Sequence, residues 1–302
     1  MSTHYKVLAI CVNWNGGEVL ADTVDSLLNS QYQPLDIVVV DNASCDGSIK
    51  NLPDSVKTTI LPSNRGYGGA LNTIIRARLE KNPPDYFLLL NNDVQLRTDT
   101  ISNLVDFARD KGAAVFGPRI VRLDDTGRLE AAWGSVTWSH VLADFKGENA
   151  RKDLRRWNET RSVELLLGSA LLVQHEVFRS VGFFDERFFM YHEEVDFLYR
   201  ARMKGITAYF CPTAEVVHLG GYATRRSPLK KTFWVRRNTV YFLRKHDASS
   251  WQWGYFWITL LGSSFYNLAT LQWARLATIW KGVREGLSRK VPSSHSEKIV
   301  SG

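Results

Sequence analysis

The strongest constraint on this 302-residue chain is a series of four short apolar runs in its first 90 residues, each closely followed by polar residues. The runs are KVLAICV (6–12), DIVVV (36–40), residues 58–61 and YFLLL (86–90). Apolar residues at helical spacing over 20–28 and 70–79 alternate with them. Strands that are apolar throughout are typical of a parallel sheet covered by helices on both faces. The sequence therefore predicts an α/β fold.

The residues that follow these strands are polar. They are Asn13, Asp41, Asn64 and Asp93. Parallel strands end at one edge of the sheet, and open α/β sheets bind ligands outside that edge. Asn and Asp also form ordinary turns, but four of them at one edge favour a ligand site. Asp93 beside amide oxygens would suit Mg²⁺ or Mn²⁺, although a turn residue explains it equally well when it is taken alone.

Two later segments carry groups that could take part in catalysis. Glu193, Glu194 and Asp196 lie within four residues, where they either stabilise a helix N-terminus or include a general base of raised pKa. His218 follows a strand-like run and is either structural or a contact to metal or phosphate. The glycines of NRGYGG (64–69) open a helix, which would let backbone N–H groups approach a phosphate. A GxGxxG fingerprint is absent after the first strand, so a dinucleotide-binding Rossmann domain is not predicted.

The spacing of the cysteines and the distribution of charge argue against several classes of protein. The three cysteines are widely spaced, which argues against a disulfide framework or a thiolate zinc site and predicts a reducing cytosol. The N-terminus MSTHYKVLAI has no secretory pattern. Residues 219–302 hold 14 Lys and Arg against 3 Asp and Glu, whereas the rest of the chain is net acidic. Nucleic-acid binding is not predicted, because long uncharged aromatic stretches interrupt the basic residues.

An uncharged, aromatic stretch extends over residues 248–274. Basic residues flank it, and aromatic rings collect at the headgroup zone of membranes. We expect helices that lie in the membrane interface on anionic lipid. A buried helix pair, in the core or in a homodimer, is the alternative, and a true span is disfavoured by interrupting polar residues such as Gln252 and Asn267.

Eight motifs occur together in a characteristic order. They are VNWNGG (12–17), VVVDNASCDGS (38–48), NRGYGGALN (64–72), LLLNNDV (88–94), LLGSALLV (166–173), VGFFDERFFMYHEEVDFLYRARMKG (181–205), VVHLGG (216–221) and RRNTVYFLRKH (236–246). With these motifs the chain resembles the glycosyltransferase family 2 enzymes, especially the bacterial rhamnosyltransferase-like group. The resemblance implies a GT-A fold: a Rossmann-like, mostly parallel sheet flanked by helices, here with a C-terminal aromatic and basic helical extension.

The resemblance also implies roles for individual residues. The residues implied to bind the nucleotide sugar are Val12, Asn13, Asn15, Asp41, Asn42, Asn64, Gly66, Asn72 and Asn92. A divalent metal, Mg²⁺ or Mn²⁺, would be held by Asp93 with His218. The family's DxD-like motif reads Asn91-Asn92-Asp93 here, and its Glu-Asp pair reads Glu193-Glu194. Glu194 is the implied catalytic base and Glu193 the reserve choice, whereas Asp196 is expected to be structural.

The implied reaction is an inverting displacement at the anomeric carbon of a nucleotide-diphosphate sugar. Subgroup likeness favours L-rhamnose from dTDP-rhamnose, with another hexose or an N-acetylhexosamine as the alternative donor sugar. The implied acceptor is a polyprenyl-diphosphate-linked sugar or a polysaccharide of the cell envelope. A nucleotide-sugar-binding protein without turnover and a membrane-surface scaffold are alternatives of another class.

The same reasoning predicts the domain organisation and location. Residues 1–246 would form the GT-A domain, with a nucleotide-sugar half over about 5–110 and an acceptor half over 111–246. Residues 247–290 would form the helical extension, and 291–302 a disordered tail. We expect a cytoplasmic protein that is peripheral on the inner face of the membrane, with Arg225, Arg226, Lys230 and Lys231 meeting lipid phosphate. Residues 126–157 are expected to form a long loop.

Overall fold

A computed structural model of the chain describes residues 5–109, 111, 115–220 and 227–291. By its internal contacts the chain divides into two compact units, which we call the sheet unit (Met1–Ser135 and Phe145–Arg226) and the helical unit (Val136–Asp144 and Ser227–Gly302). The helical unit thus begins at Ser227, ahead of the boundary predicted after residue 246. Arg225, Arg226 and the predicted tail beyond residue 291 lie outside the described residues.

The described part of the sheet unit contains a ten-stranded sheet. Two further short strands form a separate hairpin. The strands are β1 (Val7–Asn13), β2 (Leu35–Asp41), β3 (Lys57–Ile60), β4 (Tyr86–Asn91), β5 (Val94–Leu96), β6 (Val115–Arg122), β7 (Leu129–Ala131), β8 (Trp133–Val136), β9 (Ala143–Lys146), β10 (Arg161–Val163), β11 (Ala170–Gln174) and β12 (Ala208–His218). The order in the sheet is β10-β12-β6-β11-β4-β1-β2-β3, with β5 on β12 and β7 on β6. Strands β8 and β9 form the hairpin.

The first half of the sheet has the predicted architecture. Strand β1 pairs in parallel with β2 and β4, and β2 pairs in parallel with β3. Every residue of β1 is buried, which explains why KVLAICV is apolar without alternation. The prediction of an α/β fold with helices flanking a central sheet is confirmed.

The second half of the sheet differs from the prediction. Strand β11 lies antiparallel between β4 and β6, so the sheet is mixed beyond β4 rather than mostly parallel. A buried strand is apolar whichever way it runs, so the sequence of β11 carries no signal of its direction. The loop expected over residues 126–157 is also wrong, because it contains β7, β8 and β9. Strands of three or four residues are too short to show a period.

The helices separate into two groups. The helices are α1 (Val19–Leu28), α2 (Gly66–Lys81), α3 (Thr100–Arg109), α4 (His175–Val181) and α5 (Glu193–Met203) in the sheet unit, and α6 (Pro228–Lys245), α7 (Ser250–Ala269) and α8 (Trp273–Ser288) in the helical unit. A single 3₁₀ turn at Arg155–Trp157 completes the described elements. None of the described helices combines the length and the hydropathy needed to cross a membrane.

The helical unit has a small core of its own. Val240 of α6, Phe256 and Leu260 of α7, and Ile279 and Val283 of α8 are buried together in it. Helix α8 approaches α6 closely through two glycines. A Cβ at Gly282 would lie 2.7 Å from the carbonyl oxygen of Phe233, and a Cβ at Gly286 would lie 2.6 Å from that of Arg237. The glycines therefore allow the backbones of α6 and α8 to pack together.

Candidate active site

The register of the parallel strands brings polar residues to one edge of the sheet. Asn13 at the end of β1 is opposite Asp41 at the end of β2, and Val12 is opposite Asn91 at the end of β4. We call this edge the polar edge, and its members are Asn13, Asp41, Asn42, Asn64, Asn92 and Asp93. The predicted convergence of these side chains at the carboxyl ends of the strands follows from the register.

The side chain of Asn13 connects several residues of the polar edge by hydrogen bonds. Its buried side-chain amide donates to Oδ1 of Asp41 at 2.8 Å and to Oγ of Ser48 at 2.8 Å. Its Oδ1 accepts a hydrogen bond from Nδ2 of Asn92 at 2.8 Å. A Cβ at Gly16 would lie 2.5 Å from both of these Asn13 and Asn92 amide atoms, so the following turn requires glycine. The hydrogen bonds fix three strand ends relative to one another.

Asn42 connects the end of β2 to the start of α2. Its Nδ2 donates to Oδ1 of Asn64 at 3.0 Å and to the carbonyl of Gly66 at 3.1 Å, and its Oδ1 accepts from the backbone N–H of Arg65 at 2.8 Å. Gly66, the first residue of α2, has φ +74°, a conformation that favours glycine. The N-terminus of α2 is therefore held at the polar edge, as the NRGYGG motif predicts.

A strained segment positions the start of α5. Phe189, Tyr191 and His192 all have φ between 64° and 68°, although none is glycine. The carbonyl of Phe189 accepts a hydrogen bond from the backbone N–H of Tyr67 at 3.0 Å, and a Cβ at Gly66 would lie 2.1 Å from that carbonyl oxygen. Such conformations persist only where the surrounding structure enforces them, and they concentrate at functional sites. The contact brings the first turn of α5 against the first turn of α2.

Glu194 lies in the first turn of α5, half-buried beside Gly168. A Cβ at Gly168 would come within 3.2 Å of the Glu194 side chain. Burial raises the pKa of Glu194 above its ordinary value, although backbone hydrogen bonds at the helix start oppose the shift. A carboxylate with a raised pKa is suited to accept a proton near neutral pH.

The hydroxyl of Tyr67 lies beside the predicted base. It donates to the carbonyl of Gly168 at 3.0 Å, and the Glu194 side chain packs against the same glycine. A Cβ at Gly68, the next residue of α2, would lie 3.8 Å from the Glu193 side chain. Burial raises the pKa of Tyr67 well above its ordinary range, and the charges of Glu193, Glu194 and Asp93 raise it further. The first turns of α2 and α5 therefore bring Tyr67 and the two glutamates together.

Asp93 and His218 are partners because of the sheet topology. Strand β5, which begins one residue after Asp93, pairs with β12 so that Val94 is opposite His218. Oδ1 of Asp93 lies 3.1 Å from Nε2 of His218, and Oε2 of Glu130 lies 2.5 Å from Nδ1 of the same ring. Burial alone would lower the pKa of His218, but hydrogen bonds to these two carboxylates raise it to about 10. The His218 ring bridges two carboxylates.

The residues at this position fit a metal that is shared with a substrate. Among the described residues no group of three His, Cys, Asp or Glu side chains is arranged to hold an ion. Mg²⁺, however, usually takes one or two carboxylates and completes its shell with water and substrate phosphates. The Asp93 carboxylate would supply an oxygen ligand, and Nε2 of His218 would supply a nitrogen ligand once it has lost its proton. The ion would then take the place of the hydrogen bond between the two residues.

Several predicted site residues have structural partners. Asn72 exchanges two hydrogen bonds with the backbone of Phe184, at 2.9 and 3.1 Å, so it fastens the chain ahead of α5 to α2. Asp196 accepts from Nε of Arg200 at 2.8 Å, as expected of a structural residue. Asn15 accepts from the backbone N–H of Cys45 at 2.9 Å, and the Val12 side chain is buried. Donor contacts by Asn15, Asn72 and Val12 stay predictions.

Sequence reasoning missed three residues of the site. Tyr67 and Gly168 stand inside quoted motifs, and the Tyr67 hydroxyl bond to Gly168 gives both a place in the site. Glu130 had no signal at all, because it lies on the three-residue strand β7 within the presumed loop. Only the pairing of β7 with β6 makes its position evident.

Comparison with known proteins agrees with the motifs. The family model described as "Glycosyl transferase family 2" matches residues 9–197, more than half of the chain. An N-acetylglucosaminyl-diphospho-decaprenol L-rhamnosyltransferase of Mycobacterium tuberculosis is 31% identical over 276 residues, covering 84% of this chain and 89% of the relative. A galactofuranosyltransferase of Mycolicibacterium smegmatis is 28% identical over 320 residues, covering 95% and 100%.

A solved structure shows the same fold. The mannosyltransferase of Pyrobaculum calidifontis, in complex with GDP-Man and Mn²⁺, superposes with a TM-score of 0.59. Its identity to this chain is 16%, over 95% of this chain and 88% of that one, so the likeness concerns the fold alone. The predictions of the GT-A fold and of a glycosyltransferase are confirmed. The chain therefore belongs to glycosyl transferase family 2 and is similar to its rhamnosyltransferases.

Proposed function

We propose that this glycosyltransferase is an inverting enzyme that moves a sugar from a nucleotide diphosphate to an acceptor hydroxyl, with Glu194 as the base. The observation that carries the proposal is the position of Glu194, half-buried against Gly168, whose carbonyl accepts from the Tyr67 hydroxyl at the start of α2. A base and a leaving-group site must face each other across the donor for a direct displacement. Asn42 holds the start of α2 at the polar edge, which supports such an arrangement of Glu194 and Asp93.

The polar edge is the proposed donor site. Asp41 and Asn42 at the end of β2, with Asn13 and Asn15 after β1, would bind the base and ribose of the nucleotide. The start of α2 at Gly66 would direct the positive end of the helix dipole at the diphosphate. The hydrogen bonds of Asn13 to Asp41 and Asn92 hold the edge in place for the donor.

The chemistry of the chain's own residues follows from their surroundings. Glu194 would take the proton of the acceptor hydroxyl as that oxygen attacks the anomeric carbon, on the face opposite the diphosphate. Its raised pKa favours accepting the proton. Asp93 and His218 would hold a divalent ion. Bound there, Mg²⁺ or Mn²⁺ would neutralise negative charge that develops on the leaving diphosphate.

For the donor we propose L-rhamnose from dTDP-rhamnose, because a relative with 31% identity is named as an L-rhamnosyltransferase. A different sugar is the second candidate, since a relative aligned over its whole length is named as a galactofuranosyltransferase. The M. tuberculosis relative's name gives a polyprenyl-diphosphate-linked sugar as acceptor, and we propose the same class here. Such an acceptor lies at a membrane, so we place the enzyme on the cytoplasmic face.

The donor is tested first by thermal shift with nucleoside diphosphates and nucleotide sugars, each with and without Mn²⁺ or Mg²⁺. A ligand that binds only the folded protein raises its apparent stability. We expect the largest shift with one nucleotide, increased by metal. The absence of a shift with every nucleotide, in protein that is folded by circular dichroism, would contradict the proposed donor site.

Turnover is tested with that donor and a polyprenyl-diphosphate N-acetylglucosamine acceptor. We expect Glu194→Gln to reduce kcat at least about 100-fold while the donor-induced thermal shift remains. Glu176→Gln is the matched control, because Glu176 also lies in the first turn of a helix but is exposed. Full activity in Glu194→Gln would refute the assignment of the base. Binding without turnover in the wild-type protein would favour a nucleotide-sugar-binding role.

A further inference from the structure

Helix α7 has an uncharged, exposed side along its whole length. We call it the apolar row, and its members are Trp251, Tyr255, Ile258, Leu261, Phe265 and Leu268. They follow one another at intervals of three or four residues, so they share one face of the helix. Trp251, Ile258 and Phe265 are 70% to 72% exposed. The row is about 26 Å long, at about 1.5 Å per residue of helix.

The opposite side of α7 is already used for packing. Phe256 and Leu260 lie in the core of the helical unit with Val240 and Ile279. The hydroxyl of Thr259 accepts a hydrogen bond from the backbone N–H of His140 at 3.0 Å. A capping box of Ser249 and Gln252 closes the N-terminus. The helix is therefore fixed by one face, and the apolar row is not a core surface left open by poor packing.

The charges around the apolar row select its partner. Residues 248–274 contain no charged residue, whereas residues 227–291 as a whole carry 11 Lys and Arg against Asp247 and Glu285 alone. Lys230, Lys231 and Lys281 are among the exposed basic residues of α6 and α8. A second copy of this unit would bring the same positive charge against it. A bilayer with anionic lipid offers apolar chains to the row and phosphates to the basic residues.

We propose that the apolar row is a membrane-docking surface, with α7 lying in the plane of the bilayer and its row buried at the boundary of headgroups and acyl chains. The described helices contain no candidate span, which agrees with a helix that lies on the membrane. The surface itself is inferred independently of the transfer reaction. Only its benefit, access to a lipid-linked acceptor, rests on the proposed function.

Co-sedimentation with vesicles tests the surface without donor or acceptor. The full chain is mixed with vesicles of phosphatidylcholine alone or of phosphatidylcholine with phosphatidylglycerol. We expect binding to the anionic vesicles that weakens with salt. The double variant Ile258→Glu with Phe265→Glu should reduce the partition coefficient at least about 10-fold, because two large apolar side chains no longer enter the bilayer.

The matched control is Ile60→Glu. Ile60 is an isoleucine of the sheet unit with 64% exposure, close to that of Ile258. The control should bind vesicles as the wild type does. Equal binding by the double variant and the wild type would overturn the proposal. A second outcome would also overturn it: the wild type forms a dimer in light scattering and binds no vesicles, whereas the double variant is a monomer. The apolar row would then be a contact between two copies of the chain.

A measurement on the wild-type chain covers the case in which the double variant fails to fold. Vesicles containing phosphatidylcholine brominated on its acyl chains quench tryptophans that enter the bilayer. Trp251 in the first turn of α7 and Trp273 at the start of α8 are the two most exposed tryptophans of the helical unit's described residues. We expect quenching by anionic vesicles with brominated lipid and its loss when the bromine is absent. Unquenched fluorescence under conditions of full binding would overturn the insertion of the apolar row.

Discussion

The polar edge and the apolar row depart from the usual distribution of side chains in opposite ways. At the polar edge, Asn13, Asp41 and Asn42 are buried and bonded to one another. Along the apolar row, Trp251 and Phe265 are exposed. Buried polar groups are costly unless they are hydrogen-bonded, and large exposed apolar patches are rare on soluble monomers. We propose a partner for each region, the donor at the polar edge and the bilayer along the apolar row.

The comparison also predicts that the two regions fail separately. Substitutions at the polar edge should impair donor binding or transfer and leave vesicle binding unchanged. Substitutions along the apolar row should do the reverse when the acceptor is water-soluble. A variant that impaired both properties without unfolding would break this separation.

The largest effect is expected for Asp93→Ala. It removes the carboxylate that would hold the metal and leaves His218 with Glu130 alone as its carboxylate partner. We expect transfer to fall at least about 100-fold, by analogy with the removal of a single group that stabilises charge in a transition state. Transfer assays over a range of Mn²⁺ concentrations measure the loss. Vesicle binding equal to that of the wild type is the control, and unchanged transfer would contradict the assignment.

The next effect concerns pH. Burial raises the pKa of Glu194, and a base works only when it is deprotonated. We therefore expect kcat to fall as the pH decreases through a value above the ordinary glutamate range. In Glu194→Asp the shorter side chain should reduce kcat about 10-fold or more and move this acid limb. An acid limb at the same pH in both proteins would assign the titration to another group.

A smaller effect is expected for Glu130→Gln. Glu130 orients the His218 ring by accepting at Nδ1, and partners of this type typically change metal affinity 10- to 100-fold when they are replaced. We expect about 10-fold weaker Mn²⁺ binding by calorimetry in the presence of nucleoside diphosphate. Glu148→Gln is the control, because Glu148 lines the same surface cavity whereas it is Glu130 that bonds to the His218 ring. Unchanged Mn²⁺ affinity would show that Glu130 does not support the site.

The smallest effects are expected for two glycines of the helical unit, Gly286 in the contact of α8 with α6 and the exposed Gly262 of α7. Gly286→Ala would place a Cβ 2.6 Å from the Arg237 carbonyl oxygen, so we expect a loss of about 2 kcal/mol in the free energy of unfolding. A Cβ at Gly262 would meet no heavy atom within 4 Å. Gly262→Ala should therefore raise the free energy of unfolding by about 1 kcal/mol, because alanine favours the helix more than glycine does. Urea unfolding measures both. Equal effects would show that α8 and α6 are not held by close packing.

The sequence predicts the polar edge well because it depends on local features. A buried strand ending in Asn13 or Asp41 can be identified from a few residues, and so can a helix that begins near Glu194. Contacts between distant segments were not accessible in this way. The direction of β11, the role of Glu130 and the contact of Gly66 with Phe189 depend on which strands and loops become neighbours. Hydrophobic periodicity carries no information about that choice.

The β5–β12 pairing has a consequence for how the protein is made. Asp93 and His218 are 125 residues apart in the chain, and Val94 meets His218 only when β12 joins the sheet. Such contacts pay the entropy of closing a long loop and form late in folding. On the ribosome, the parallel strands and the polar edge can assemble while His218 is still unsynthesised. The pair proposed to hold the metal is then completed only after nearly the whole sheet unit has emerged, so a nascent or truncated chain would form the proposed nucleotide site before the proposed metal site.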